Sequence, residues 1–446
     1  MTAPAMPSFW DAVRVWARIG CLSFGGPAGQ IALMHKVLVE ERRWIGERRF
    51  LHALNYCMLL PGPEAQQLAT YVGWLMHRTA GGLVAGLLFI VPGALVMLGL
   101  SMAYVLLGHT PLAAALFLGV KSAVLAIVVE AVQRIGRRAL KTPAALAMAL
   151  AAFLSLYVLR LPFPLVILAA GLIGWFAPDR FAAAQSGGAE APEPPDLVDL
   201  ALEGGVATHL TPSRGRALRV LAVWLPIWLA PVVALYLAFG DASVWTRLAA
   251  FFSTMGVVTF GGAYAVLSYV AQAAVDTFGW LKPGEMADGL GLAETTPGPL
   301  ILVLQFVGFL AAWRDPGGLD PLAAGALGAL LTTWVTFAPC FLWIFLGAPY
   351  VEALRGHRAA ASALAAITAA VVGVIANLAL WFGLHLLFSR VAPLWPGGPD
   401  VPDLSSLDWR PALLALAAGV AMLRFKAGLI PVLIACALGG TVLGLA

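Results

Sequence analysis

Four tripeptides built around glycine interrupt apolar stretches of this 446-residue chain. Phe-Gly-Gly occurs at residues 24–26, within SFGGPAGQ, and again at 260–262, whereas Pro-Gly-Pro occurs at 61–63 and 297–299. Glycine and proline interrupt helices, and a helix that restarts after them presents backbone N–H groups with no partner in that helix. Such helix starts carry partial positive charge. The pattern therefore predicts a binding site for a small anion at broken helices.

The composition places these breaks in a membrane protein. Hydrophobic residues make up 61% of the chain and charged residues 11%. A chain of this composition cannot fold in water without exposing large apolar patches. Apolar runs that suit a membrane helix lie at 80–107, 111–133, 143–159, 163–177, 217–239, 321–347, 359–388 and 428–446, with a shorter one at 411–423. We expect an all-α polytopic membrane protein without a cleaved signal peptide.

The breaks belong to an internal duplication with a constant offset of 236 in residue number, as from Gly20 to Gly256. At this offset Phe24 to Gly26 match Phe260 to Gly262, Trp44 matches Trp280, and Pro61 to Pro63 match Pro297 to Pro299. An offset of 247 then aligns Pro92 with Pro339. The predicted division is an N-terminal transporter repeat (1–177), a polar cytoplasmic linker (178–216), an inverting transmembrane helix (217–244) and a C-terminal repeat (245–446).

Phe-Gly-Gly followed by Pro-Gly-Pro, once in each half at the same spacing, resembles the chromate ion transporter family in its long, two-domain form. The resemblance covers nearly the whole chain outside 178–216. It implies a bacterial exporter of chromate in the cytoplasmic (inner) membrane, with sulfate as the related oxyanion, and about thirteen segments in two inverted-topology repeats. One departure is that Glu64 follows the first Pro-Gly-Pro but Leu300 follows the second, so the two sites are not chemically equivalent.

The basic residues favour opposite orientations of the two halves. The loop after the first Phe-Gly-Gly holds Lys36, Arg42, Arg43, Arg48 and Arg49, whereas its counterpart holds only Lys282 beside Asp276, Glu285 and Asp288. Because cytoplasmic loops are rich in Lys and Arg, the first loop is predicted inside and the second outside. The other clusters of basic residues between apolar segments all fall on the cytoplasmic side only if four segments re-enter the membrane and return to the side they entered from. These segments are 9–35, 50–76, 245–270 and 286–312. The alternative is that these four segments are kinked helices that cross the whole membrane.

The predicted substrate site consists of the breaks and nearby polar side chains. Glycines allow close backbone approach, Pro27, Pro61 and Pro297 are expected to begin new helices, and Ser23, Thr259, Thr295 and Thr296 offer hydroxyl donors. The predicted substrate-binding residues are Ser23, Phe24, Gly25, Gly26, Pro27, Gln30, Pro61, Gly62, Pro63, Lys121, Thr259, Phe260, Gly261, Gly262, Thr296, Pro297, Gly298 and Pro299. Close helix packing is the alternative role for the glycines.

Five ionisable residues are candidates for charge-dependent roles in transport, and one of them, Lys121, is also among the predicted substrate-binding residues. Lys121 lies mid-helix in a crossing segment and is expected either to attract the anion or to pair with Glu130 or Glu64. Glu64 and Glu294 are candidates for proton coupling, with capping of backbone donors as the alternative. Arg14 and Arg18, one helical turn apart, either guide anions or snorkel to lipid phosphate.

The function predicted from these residues and the resemblance is secondary active export of chromate, and of sulfate as a related oxyanion, driven by membrane potential, proton exchange or both. A passive oxyanion channel and a transporter of another small anion are the alternatives.

The sequence lacks the motifs of ATP hydrolysis, zinc proteolysis and serine nucleophiles, so no enzyme is predicted. No metal or cofactor is predicted, since the four cysteines are isolated. The predicted partners are the oxyanion and lipid, not nucleic acid, and a homo-oligomer is compatible with the sequence.

Overall fold

The structure is a computed structural model that describes residues 7–24, 26–108, 110–181, 212–260, 263–350, 358–396 and 398–445. Three of the predicted site residues, Gly25, Gly261 and Gly262, lie outside the described residues, as does the linker between residues 182 and 211. Within the described residues the chain forms 17 α-helices and one small antiparallel β-hairpin.

The helices up to the linker are α1 (Phe9–Leu22), α2 (Gly26–His35), α3 (Glu47–Leu59), α4 (Glu64–Leu107), α5 (Pro111–Ala139), α6 (Pro143–Tyr157), α7 (Phe163–Phe176) and α8 (Pro178–Phe181). A π-helical turn, Lys36–Glu41, follows α2. Thr110, Thr142 and Asp320 show how several helices begin, because each precedes a proline at the first helical position and accepts a hydrogen bond from a first-turn backbone N–H.

The helices after the linker are α9 (Arg214–Phe239), α10 (Val244–Val258), α11 (Ala263–Gln272), α12 (Pro283–Thr295), α13 (Val303–Arg314), α14 (Pro321–Gly347), α15 (Arg358–Leu387), α16 (Trp409–Leu423) and α17 (Leu429–Leu445). A π-helical turn, Ala273–Thr277, follows α11. Short 3₁₀ helices span Leu300–Leu302, Ala348–Tyr350 and Leu404–Ser406. The hairpin strands are β1 (Val391–Pro393) and β2 (Asp400–Pro402).

Five helices among the described residues are long and apolar enough to cross a membrane: α4, α5, α9, α14 with its 3₁₀ extension, and α15. Six further apolar helices of 10–17 residues accompany them. The prediction of an all-α multi-pass membrane protein is confirmed at this level. The count of thirteen segments and the inverted orientation stay predictions.

Helix boundaries repeat along the chain. The offset of 236 carries the bounds of α1 and α3 onto those of α10 and α12, and the end of α2 onto the end of α11, to within a single position. The two π-helical turns fall at matching places. The offset of 247 carries the end of α5 onto the end of α15 to within a single position, and an offset of 266 carries the starts of α6 and α7 onto those of α16 and α17. The last change of offset corresponds to the β-hairpin, which was not anticipated from the sequence.

The hairpin is attached to the end of α6 in the same unit. Tyr157 Oη donates a hydrogen bond of 2.7 Å to the Asp400 backbone O, and Arg160 Nη2 lies 2.7 Å from Asp400 Oδ1. Beyond the strands, hydrogen bonds from Ser405 hold the pKa of Asp403 below its usual value, and Arg390 adds to this effect.

The chain forms two compact units that each draw on both halves of the sequence. The first unit contains residues 1–98, 185–263 and 296–356, and in it α14 packs against α9, α10 and α13. The second contains residues 99–184, 264–295 and 357–446, and in it α5 packs against α16 and α17 while α15 packs against α6 and α7.

Small residues allow the close helix packing. In the second unit, a Cβ on Gly119 would lie 1.8 Å from the Cys436 backbone O, and one on Gly373 would lie 2.0 Å from the Ala149 backbone O. Such contacts require glycine and are typical of helix pairs in membranes.

Within the first unit, α4 folds back on itself. His77 and Arg78 have non-helical backbone angles, with φ of 54° at Arg78. A Cβ on Gly73 would lie 2.4 Å from the Gly81 backbone O, whereas eight residues of straight helix span about 12 Å. The two parts of α4 therefore form a helical hairpin, and the predicted segment 50–76 ends at its turn.

Candidate functional site

Every predicted break is present where the described residues cover it. The helix pair α1 and α2 is interrupted after Leu22, and α3 and α4 are interrupted between Leu59 and Glu64. The second half repeats this pattern, since α10 ends at Val258 and α12 ends at Thr295. Gly62 and Gly298 have φ of 119° and 87°, which only glycine adopts without strain.

The breaks bond to one another in two matched pairs inside the first unit. The Gly62 N–H donates to the Thr259 backbone O at 2.8 Å, and the Gly298 N–H donates to the Ser23 backbone O at 2.8 Å. The two donors are related by the offset of the duplication, and so are the two acceptors. Each pair joins the Pro-Gly-Pro of one half to the Phe-Gly-Gly break of the other.

These bonds change the role expected of Pro-Gly-Pro. Proline has no N–H, so each tripeptide has a single backbone donor, its glycine, and that donor is already used. The donors of the breaks were expected to need a ligand or water, but the opposite break satisfies these two.

The expected position of two prolines is wrong. Pro61 and Pro297 do not begin helices, because the chain becomes helical again only at Glu64 and Leu300, after the second proline of each motif. Pro27 is the second residue of α2, as expected of a proline in a first helical turn.

The hydroxyl groups beside the breaks also differ from expectation. Ser23 Oγ donates to the Ile19 backbone O at 2.6 Å, Thr259 Oγ1 donates to the Met255 backbone O, and Thr295 Oγ1 donates to the Leu292 backbone O. Their protons are therefore used within their own helices, and the expectation of free hydroxyl donors at these three residues is wrong.

Three glutamines bind carbonyl groups near the breaks of the first unit. Gln30 Nε2 donates to the Gly298 backbone O at 2.5 Å, and Gln67 Nε2 donates to the Pro61 backbone O at 2.7 Å. Gln305 Nε2 donates to the Ala94 backbone O at 2.8 Å. The side-chain oxygens of Gln30 and Gln67 are buried without a hydrogen-bond partner among the described residues, and a hydrated or ligand-filled site would supply one.

The repeated glycines also pack closely against helices. A Cβ on Gly62 would lie 2.9 Å from Cys340 Sγ. The offset of 247 aligns Cys340 with Gly93, and a Cβ on Gly93 would lie 2.1 Å from the Pro297 backbone O. Gly20 and Gly256 are likewise in close contact, with a Cβ on Gly20 placed 2.0 Å from the Leu88 backbone O. Packing is thus part of the role of these glycines.

Lys121 lies in the second unit with an acidic partner that was not selected from the sequence. Its Nζ is 3.2 Å from Asp288 Oδ1, and Tyr104 Oη donates to Asp288 Oδ2 at 2.8 Å. Glu130 instead pairs with Arg134 at 3.5 Å, so the expectation of a Glu130 partner is wrong. The signal for Asp288 was a carboxylate directly before the apolar residues 289–293 of α12, because a buried acid requires a partner.

The other ionisable candidates have separate surroundings. Glu294 is 1% exposed and accepts a hydrogen bond of 2.6 Å from Tyr264 Oη, while its Oε2 has no hydrogen-bond partner among the described residues. Glu64 begins α4 and is partly buried. Arg14 is exposed and lies 3.4 Å from Asp11. Among the described residues, no cluster of three or more His, Cys, Asp or Glu side chains is placed to bind a metal.

Membrane-length helices, duplicated breaks and buried ionisable residues define the class as a polytopic membrane protein of the transporter type. The chain belongs to the chromate transporter family, whose sequence profile matches residues 10–175 and 246–441. The starts of the two matched regions, at residues 10 and 246, are separated by the offset of the duplication.

Three curated relatives extend over most of the chain. The chromate transport protein of Pseudomonas aeruginosa is 32% identical over 84% of this chain and 82% of its own length. That of Cupriavidus metallidurans is 26% identical over 100% of this chain and 94% of its own length. A probable chromate transport protein of Synechococcus elongatus is 27% identical over 89% and 92%. No solved structure matches the chain.

Proposed function

We propose that this protein is a secondary active exporter of chromate, with sulfate as a related substrate, in the bacterial cytoplasmic membrane. The observation that carries the proposal is the family match to both halves of the chain, together with relatives that are themselves chromate transport proteins. A protein of this size with duplicated broken helices suits transport of a small ion.

The proposed binding region lies at the paired breaks of the first unit. Chromate offers four oxygen acceptors and two negative charges, which suit backbone N–H groups at the start of a helix. Since Gly62 and Gly298 donate to Thr259 and Ser23, the donors proposed for the anion are those of the restarting helices, including the first turn of α2 at Gly26. In this proposal the two Pro-Gly-Pro motifs set the geometry of the site.

The proposed orientation has the linker and the basic clusters in the cytoplasm and the two repeats inverted with respect to each other. The ion pair between Arg358 Nη2 and Asp179 Oδ1, at 3.0 Å, supports a common side for the start of α15 and the segment after α7. Both residues flank parts of the chain that the positive-inside rule assigns to the cytoplasm.

The proposed driving force is the membrane potential, proton exchange or both. A negative interior favours outward movement of an anion by about 2.3 kcal/mol per charge per 100 mV. Glu294 is the stronger candidate for proton coupling, because it is buried with a single hydroxyl partner, and Glu64 is the second candidate. Arg14 and Arg18 are proposed to attract anions toward the first break.

The test is chromate uptake into everted membrane vesicles, in which an exporter accumulates its substrate. Intact protein would be compared with a Gly62→Ala/Gly298→Ala variant, and Gly99→Ala would be the control because a Cβ there meets nothing within 4 Å. Gradient-dependent accumulation that the double variant loses and the control keeps is the expected result. Flux that only equilibrates would indicate a channel, and absence of chromate flux from the intact protein would overturn the substrate.

A further inference from the structure

The second unit contains a cavity of about 190 Å³ beside a partly buried cation. Its lining includes Lys121 of α5, Gly284 and Ala287 of α12, and Phe382 and His385 of α15. A Cβ on Gly284 would lie 3.1 Å from Lys121 Nζ, so the ammonium group lies against the first turn of α12. The cavity therefore has room for an oxyanion and has the positive charge of Lys121 in its wall.

The cation of this cavity is already paired with a carboxylate. Lys121 Nζ lies 3.2 Å from Asp288 Oδ1, and the side chain of Asp288 is 5% exposed whereas that of Lys121 is 24% exposed. Tyr104 Oη holds the other carboxylate oxygen of Asp288 at 2.8 Å. The cavity thus reaches Lys121, while Asp288 contacts the same ammonium group from within the protein.

We propose, on the basis of the function proposed above, that this cavity is a second oxyanion subsite in which the anion replaces Asp288 at Lys121 while Asp288 takes up a proton. No covalent bond in the anion changes. The carboxylate–ammonium pair, one proton from water and the dianion become a neutral carboxylic acid and an ammonium–anion pair. The total charge is the same before and after.

Asp288 is expected to take up a proton because its side chain is buried. A carboxylate that loses its cation in an apolar surrounding would remain charged at a large cost in free energy, so protonation accompanies the loss of the partner. Tyr104 remains within hydrogen-bond distance and can accept from the protonated acid. Anion binding in the cavity is therefore linked to proton uptake.

The other titratable groups near Asp288 have partners of their own. On the same helix, the Glu285 carboxylate accepts from the Lys282 backbone N–H at 2.7 Å. On α15, His385 Nδ1 donates to the Trp381 backbone O at 2.9 Å. From α5 and α4 the facing groups are Lys121 and Tyr104. Asp288 is therefore the carboxylate that competes with an anion for Lys121.

The experiment measures chromate binding to purified full-length protein between pH 6 and pH 8, for intact protein, Asp288→Asn, Lys121→Gln and Asp400→Asn. Asp400 is the matched control, since it is an ion-paired aspartate of the same unit, 2.7 Å from Arg160. Chromate itself takes up a proton in the acidic part of this range, so all comparisons are made between proteins at the same pH.

The expected result is that chromate binds Asp288→Asn more tightly than intact protein at pH 8, with the difference shrinking by up to about tenfold per pH unit as the pH falls. Asp400→Asn should follow the intact protein, and Lys121→Gln should lose this site. If Asp288→Asn does not fold, Tyr104→Phe replaces it, and its midpoint of pH dependence should move to higher pH because the charged carboxylate loses a donor.

A constant ratio between Asp288→Asn and intact protein at every pH would overturn the exchange, and so would unchanged binding by Lys121→Gln. In both cases chromate still binds, and the proposed function stands. Absence of chromate binding and chromate flux in the intact protein overturns the proposed function and this inference together.

Discussion

The backbone N–H of Gly62 bonds to the backbone O of Thr259, a residue of the other half of the chain, at 2.8 Å. The equivalent bond, from Gly298 to Ser23, has the same length. Each half therefore completes a break in the other, which makes the breaks interdependent. A change at one Pro-Gly-Pro should affect the Phe-Gly-Gly break of the opposite half.

The first prediction concerns these two glycines. Gly62→Ala should be destabilising by at least about 1–2 kcal/mol, because an L-residue is strained at a φ of 119°. A Cβ there would also lie 2.9 Å from both Cys340 Sγ and Gln67 Nε2. Thermal unfolding in detergent measures the loss, and Gly298→Ala should behave in the same way. A variant as stable as Gly99→Ala would contradict this account of the break.

The second prediction separates the two matched packing glycines. Gly20→Ala should be more disruptive than Gly256→Ala, since the new Cβ would lie 2.0 Å from the Leu88 backbone O in one case and 2.7 Å from the Pro339 ring in the other. Backbone cannot move aside as easily as the edge of a ring. The yield of folded protein on size exclusion in detergent measures both variants. Gly419→Ala is the control, because nothing lies within 4 Å of its Cβ.

The third prediction concerns the energetics of the Lys121–Asp288 pair. Removing one partner, as in Lys121→Met or Asp288→Asn, should destabilise the protein by about 3–5 kcal/mol because it leaves a buried polar or charged group unpaired. The double variant should recover much of this loss. Unfolding free energies of the four proteins give the coupling, and additive losses would indicate that the two residues do not interact.

The fourth prediction concerns proton coupling. Glu294→Gln should weaken the response of chromate flux to an imposed pH gradient but retain the response to membrane potential, because the amide cannot exchange a proton while Asp288 is unchanged. Tyr264→Phe keeps the carboxylate and removes its donor, so its response to the pH gradient should survive. Everted vesicles with each gradient imposed separately provide the measurement. A full pH response in Glu294→Gln would assign the coupling elsewhere.

The fifth prediction concerns sidedness. In a Cys21→Ser background, which removes the exposed native thiol, Arg42→Cys and Lys282→Cys should react with an impermeant maleimide from opposite sides of the membrane. The basis is the excess of basic residues in the first loop only. Labelling of both from the same side would contradict the inverted topology.

Much of the helical architecture could be predicted from the sequence. The apolar runs matched the long helices because lipid requires long apolar segments with internally bonded backbone. The breaks at residues 23–26 and 61–63 were predictable because glycine and proline act locally. The β-hairpin at Val391–Pro402 was not predicted, since a short strand pair in a polar connection has no strong periodicity.

The partners of the site residues were less predictable. The Gly62–Thr259 bond and the Lys121–Asp288 pair each join residues from opposite halves of the chain, and no local pattern specifies such distant contacts. The hydroxyl groups of Ser23 and Thr259 were assigned to a ligand because their distance to the carbonyl one turn earlier depends on rotamer, which sequence does not reveal.

The interlocked breaks impose an order on synthesis. When Gly62 enters the membrane, its acceptor, Thr259, lies far along the chain in the second half and has not been made. At a synthesis rate of about 5–20 residues per second, roughly 10–40 s pass between the synthesis of Gly62 and that of Thr259. During this interval the nascent first half must keep a polar backbone group hydrated or protected within the membrane, so it depends on the insertion machinery or on lipid headgroups until the second half arrives.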